Sequence, residues 1–278
     1  MSKEVMLTAE EMIRRYQKEC RSLRRLRWVT LAAYVVFLFL TASNMNLSRA
    51  AVSVIVFVMA MRMLQSMETQ QFTMLQQVLN QSCDAVKYTT VMEKLLEKPG
   101  KEEASFRLCY AKGLYYSGRF AEAREALQSF YMERPSVGTA LLYHMVACGC
   151  FLELEDADGV RKERDEAAAL LRAAKPKQQA MVQQQIRTMD GMLALVEERY
   201  DDFFRLQSEV LQQAESPLQR MAAAYRLALA KIVIGEDAEA RQLLEQVVEN
   251  GGTCFMAAEA ANLLEEFALP EKSADDKA

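Results

Sequence analysis

Gly118-Arg119-Phe120-Ala121-Glu122-Ala123 reads as a polar turn entering an amphipathic helix, and its recurrence decides the fold. Three counterparts follow, starting at Glu155, Glu198 and Gly235, at intervals of 37, 43 and 37 residues. A fainter one, Gln81-Ser82-Cys83-Asp84-Ala85-Val86, lies another 37 residues upstream of Gly118. Self-similarity at this period marks stacked supersecondary units rather than one irregular core. Seven positions before each clear turn stands a small residue, Ala111, Cys148, Gly191 or Ala228, which lets two helices approach closely. Leu127 and Leu244 hold equivalent apolar positions after their turns, and Pro99, Pro135, Pro176 and Pro217 fall between units, where a helix should stop. The repeating unit is therefore a pair of antiparallel helices.

Composition agrees. The chain has 278 residues, 51% hydrophobic and 26% charged, enough to bury a sizeable core. With only 10 Gly, 5 Pro and 8% aromatics, it is rich in unbranched side chains that lose little rotamer freedom in a helix. The fold class expected is all-α. The net charge of −4 hides an asymmetry: residues 1–64 carry ten Lys/Arg against four acids, and the remainder 24 against 34. A remainder that acidic repels phosphate backbones, so no nucleic-acid partner is expected.

The basic end carries an apolar block. From Trp28 to Ser48 no residue is charged for 21 positions, about the 30 Å of a bilayer core at helical rise. Seven bases in residues 14–27 precede it, which holds the amino terminus in the cytosol and leaves Trp28 at the interface. A second apolar run, Ala50 to Met61 between Arg49 and Arg62, is too short to span alone, but Met63, Leu64 and Met67 lengthen it once Arg62 reaches toward the headgroups. With Asn44 to Ser48 as a turn, residues 28–64 read as a transmembrane helical hairpin, helices at about 28–47 and 50–67, contacting membrane lipid through residues 28–67. Two other readings compete: a cleaved signal peptide ending near Thr41-Ala42-Ser43, and a single span at 28–48 with residues 50–61 buried or interfacial. Residues 1–27 read as a basic amphipathic helix opened by a capping box at Thr8 to Glu11, with Met12, Tyr16, Cys20 and Leu23 on one face.

Residues 104–137 resemble the tetratricopeptide repeat family: Ala111, Gly118, Phe120, Ala123, Leu127 and Pro135 stand at its signature spacing, although Arg107 holds the tryptophan-type position and Phe130 replaces a small residue. Residues 221–254 match at Ala228, Gly235, Ala240 and Leu244, with Asp237 in place of the aromatic. Units near 141–174 and 184–217 keep the small residue and part of the turn, and one near 68–101 follows by period. The resemblance implies an α-solenoid over 68–254, closed by a capping helix at 253–269 ahead of a disordered tail at 270–278. It implies a concave surface lined by the first helix of each pair: Leu108, Lys112, Tyr115 and Tyr116, then Met145, Met192, Tyr225 and Leu229. Ser105, Leu142, Leu152, Gln185, Leu195, Ala222 and Ile232 belong to the same face. An apolar face with Tyr and Met suits an amphipathic helix or hydrophobic segment of a protein partner.

No catalytic motif of the P-loop, dinucleotide, HExxH or GxSxG type occurs, so no enzyme activity, cofactor or metal is expected. One histidine, His144, leaves no partner for a His-based metal site; a buried or groove-lining role is expected for it. The cysteines Cys20, Cys83, Cys109, Cys148, Cys150 and Cys254 are scattered, which suits a reducing compartment. These readings describe an integral protein of a bacterial cytoplasmic membrane, both termini and the repeats in the cytosol, acting as a tethered interaction scaffold. The alternative, which needs the single-span topology, is an extracytoplasmic assembly or chaperone factor.

Overall fold

The described residues, 7–41, 47–97 and 103–268 of a computed structural model, contain helices and turns and no strand. The all-α expectation holds. The chain divides into two compact units at Gln77 and Val78.

The first unit consists of α1 (Ala9–Thr41) and most of α2 (Leu47–Asn80). Its start is capped as the sequence indicates: the Glu11 amide donates to Thr8 Oγ1 at 3.3 Å, and the Thr8 amide donates back to Glu11 Oε2 at 2.8 Å. Met12, Ile13, Tyr16, Cys20 and Leu23 form the buried seam of α1. Helix α1 does not break between residues 27 and 28, because nothing there interrupts the backbone ladder; the basic and apolar segments are one continuous rod. Helix α2 likewise runs on through residues 68–80 where a first repeat was expected to begin, since neither Gly nor Pro stands between Arg49 and Asn80. Leu47 and Ser48, read as turn, belong to α2, and residues 44–46 of that turn lie outside the described residues.

Contacts between α1 and α2 descend on one helix as they climb on the other. Tyr34 stacks on Phe57 at 4.2 Å, Arg27 pairs with Glu68 at 2.5 Å, and Met12 and Tyr16 share a crevice with Gln71 and Leu75. Along this pair the environment changes. Residues 9–23 bury apolar side chains behind a polar exterior, whereas Trp28, Phe39 and Leu40 on α1 and Val52, Ile55, Val56 and Met59 on α2 are exposed. Among the described residues one helix, Ser48–Asn80, is long and apolar enough to cross a membrane, with 6% of its most apolar window buried. On α1 the apolar stretch after Arg27 is helical as far as Thr41, and residues 42–46 of the span expected to reach Ser48 lie outside the described residues.

The second unit holds α3 (Ala85–Leu96), α4 (Glu103–Tyr116), α5 (Phe120–Gln128), α6 (Val137–Leu152), α7 (Ala157–Ala173) and α8 (Pro176–Val196). It continues with α9 (Tyr200–Gln212), α10 (Pro217–Val233), α11 (Asp237–Asn250) and α12 (Phe255–Ala268). Four inter-helix turns share one geometry. Gly118, Glu155, Glu198 and Gly235 are all left-handed, with φ of 76°, 55°, 58° and 79°. The amide of each donates three residues back, and the following amide donates five back, from Arg119 to Leu114, Asp156 to Phe151, Arg199 to Ala194 and Glu236 to Lys231, at 2.8–2.9 Å. This double closure satisfies the last carbonyls of the incoming helix and reverses the chain. Cys83, φ 51°, makes the corresponding turn before α3; the upstream turn is centred there, 35 residues before Gly118, and not on position 81.

The register carries into the packing. The small residues Ala111, Cys148, Gly191 and Ala228 are all buried. Five positions after each left-handed residue stand Tyr88, Ala123, Val160, Phe203 and Ala240, every one 0% exposed. Pro176 and Pro217 are the first residues of α8 and α10, where a missing N–H costs nothing. The unit expected near 184–217 therefore starts eight residues earlier, at Pro176, and Pro99 and the tail at 270–278 lie outside the described residues.

Candidate functional site

Side chains from helices far apart in sequence converge on the inner side of the second unit. Tyr115 near the end of α4 accepts a hydrogen bond from Arg226 Nη2 of α10 at 3.0 Å and donates toward Glu153 Oε1, just after α6, at 3.4 Å. Tyr225, beside Arg226, donates to Glu259 of α12. Phe255 at the start of α12 packs edge-on against Tyr115, Phe120 and Tyr225, with ring centroids 5.9, 4.9 and 6.1 Å away. A glycine makes room for this: a Cβ on Gly149 would lie 2.8 Å from the Tyr115 ring.

Burial dominates the electrostatics. It pushes the Tyr115 and Tyr225 hydroxyls up, the Tyr116 hydroxyl up to about 12 and the Glu153 carboxyl up, so the phenols stay protonated, and Tyr115 and Tyr225 donate. Arg226 offsets part of the Glu153 shift, and its Nε has no partner. A positive charge is thus enclosed among two carboxylates and three phenols. That arrangement locks α4, α6, α10 and α12 together.

The ends of the unit also meet. The Thr253 amide donates to the Cys83 carbonyl at 3.0 Å, the Val86 amide donates to Thr253 Oγ1 at 3.1 Å, and Thr253 Oγ1 donates to Asp84 Oδ1 at 2.9 Å. Cys254 Sγ points at the Cys83 carbonyl at 3.2 Å. The expected capping helix, found at Phe255–Ala268, begins where the chain meets its own first turn and lays Phe255 and Glu259 on Tyr115 and Tyr225.

This closure corrects the expected exposure of the inner face. Leu108, Tyr115, Met192 and Tyr225 are buried, at 2–3% exposure, as is Ala222. Lys112, Tyr116, Met145 and Leu229 are half-buried, as are Ser105, Leu142, Leu152, Gln185, Leu195 and Ile232. Tyr115 and Tyr225 come together through Phe255 and Arg226. Met145 and Met192 belong to a separate apolar cluster with Leu141, Cys148 and Val160. Lys112 donates to Asn80 Oδ1 at 2.9 Å, and burial lowers its pKa. Arg226, Glu153, Phe255 and Glu259 were not singled out by the sequence, because no periodic signal links residues 111 or 34 positions apart.

All six cysteines are buried, and burial pushes the Cys148 and Cys150 thiols up to about 12. His144 is not alone: Glu163 and Glu166 of α7 lie beside it. The chain matches no protein-family model, no curated protein and no solved structure.

Proposed function

We propose that the chain is a membrane-tethered scaffold of tetratricopeptide-like repeats, held by a transmembrane hairpin through residues 28–67 and engaging a protein partner at the cytosolic face. The observation that carries this reading is the dense set of exposed apolar side chains on α1 and α2, from Trp28 to Leu40 and from Val52 to Met59, in a chain whose other unit buries most of its apolar side chains and exposes the rest singly or in pairs. Contiguous apolar surface of that extent has no place in water and a ready one in lipid. Arg24, Arg25 and Arg27 beside it, and cysteines scattered through the sequence, support a cytosolic array. Because Tyr115 and Tyr225 are filled in by their own chain, the partner contacts the half-buried members of the inner face, Tyr116, Met145 and Leu229.

The extracytoplasmic alternative draws on one observation, and in a changed form: among the described residues α2 alone is long and apolar enough to span, which moves the single span from residues 28–48 to α2. Protease digestion of membrane vesicles separates the two. The scaffold reading expects the repeats to be cut only in inverted vesicles; cutting in right-side-out vesicles selects the alternative. Photo-crosslinking residues placed at Met145 and Leu229, with Val248 on the outer helix α11 as control, then test the surface. Protein adducts from Val248 alone would move the partner off the inner face.

A further inference from the structure

The outer helices keep one buried position nine residues after the left-handed turn residue: Met92 on α3, Leu127 on α5, Gln207 on α9 and Leu244 on α11, all at most 3% exposed. Helix α7 departs from this. Its residue at that register, Arg164, turns outward to Asp190 at 2.6 Å, and the preceding Glu163 is buried instead, at 6% exposure. A carboxylate has replaced an apolar side chain at a packing position. Removing a carboxylate from water costs several kcal/mol unless a counter-charge or full hydrogen bonding replaces the lost hydration. Among the described residues no Lys or Arg lies within ion-pair distance of Glu163; the group facing it is His144 of α6, with Nδ1 2.8 Å from Glu163 Oε2.

Glu166, one helical turn further along α7, completes the grouping. Its Oε2 is 3.9 Å from His144 Nδ1, and the three donor atoms all lie within 4.8 Å of one another. Ligands bound at about 2.0–2.2 Å to one ion stand roughly 3.0–3.5 Å apart, and the two distances from His144 bracket that range. The His144 and Glu163 side chains are 12% and 8% exposed, while Glu166 is 51% exposed, so the group is closed toward the α6–α7 seam and open to solvent on one side. The Tyr143 ring meets the imidazole edge-on at 5.4 Å and holds its orientation.

We propose that His144, Glu163 and Glu166 bind a single divalent transition-metal ion, which bridges α6 and α7. One imidazole and two carboxylates suit Zn²⁺ or Mn²⁺: the nitrogen disfavours Ca²⁺, and no cysteine joins the group, Cys148 on the same helix donating toward the Val160 carbonyl at 4.0 Å. Two carboxylates neutralise the ion's charge, and water on the Glu166 side fills the remaining positions. This assignment stands independently of the scaffold reading.

The single histidine makes the test specific, because its imidazole gives one set of nuclear magnetic resonance signals. The full chain, in detergent micelles and without a polyhistidine tag, is stripped with a chelator and titrated with Zn²⁺. The proposal expects the imidazole signals to move and to saturate at one equivalent, with E163Q and E166Q each weakening binding about tenfold or more. E166Q changes a half-exposed side chain, so a folding failure of E163Q leaves the test intact. An imidazole unmoved by excess Zn²⁺, or undiminished binding by both variants, overturns the site.

Discussion

Val56 and Val233 are exposed to nearly the same extent, 61% and 64%, yet they stand in opposite settings. Val56 lies on α2 among Val52, Val54, Ile55, Val58 and Met59, every one exposed. Val233 ends α10 beside Ile234 and is followed at once by Gly235, Glu236 and Asp237. One or two exposed apolar side chains beside a polar turn are ordinary on a protein surface, whereas a contiguous apolar sleeve marks a surface that meets a partner or lipid. On the proposed reading the same fraction of exposed area means lipid in one unit and water in the other, and the neighbours decide which.

The largest effect expected separates these two sites. Arginine at the centre of a spanning helix costs about 2.5–3.5 kcal/mol of insertion free energy, so Val56→Arg should sharply reduce the fraction that resists alkaline extraction from membranes. Val233→Arg, in water, should leave both extraction and folding stability within about 0.5 kcal/mol of the parent. Equal behaviour of the two variants would erase the distinction between the units.

Within the second unit, Gly235 and Gly252 make a finer comparison. Both have positive φ, 79° and 56°, where an alanine costs about 1–2 kcal/mol of backbone strain. A Cβ on Gly235 meets nothing within 4 Å, but one on Gly252 would lie 2.7 Å from the Cys83 carbonyl oxygen and 2.9 Å from that of Ser82. Backbone carbonyls cannot swing aside as a side chain can. Gly235→Ala should cost the strain alone, while Gly252→Ala should cost about 1–2 kcal/mol more, because the hydrogen bonds from Thr253 to Cys83 and Asp84 are lost with the closure. Denaturant midpoints give the difference, and faster amide exchange at Val86 and Thr253 in Gly252→Ala locates it. If both variants lose the same stability, the two ends do not meet in solution.

What the sequence disclosed divides along the same line. The turns at Gly118, Glu155, Glu198 and Gly235, the small residues seven positions before them and the cap at Thr8 all rest on residues close in the chain, and all were legible. Closure rests on Cys83 and Thr253, 170 positions apart, and the inner lock on Tyr115 and Arg226, 111 apart; neither leaves a periodic trace. The first-helix side chains were legible as a set, with exposed and covered both open, because period alone does not reveal which of them the last helix covers. The company of His144 was not legible for a related reason: Glu163 and Glu166 come to it from a neighbouring helix.

The smallest effect expected tests the repeat register itself. Gln207 is 0% exposed at a position held elsewhere by Met92, Leu127 and Leu244. Its Nε2 reaches the Ala223 carbonyl at 3.4 Å, a long bond, and its Oε1 has no partner. A buried acceptor left unpaired costs about 1–3 kcal/mol, while the bond that leucine would forfeit contributes about 0.5–1.5 kcal/mol at normal length and less when stretched. Leucine also matches the available volume, because the close approach of Gly191, whose added Cβ would stand 3.2 Å from Oε1, leaves no room for a larger group. Gln207→Leu should therefore stabilise the chain by about 1 kcal/mol, read as a higher denaturant midpoint with an unchanged slope. A loss of stability would mean that the amide is held by a partner such as a bound water, and that α9 follows a different packing rule from α3, α5 and α11.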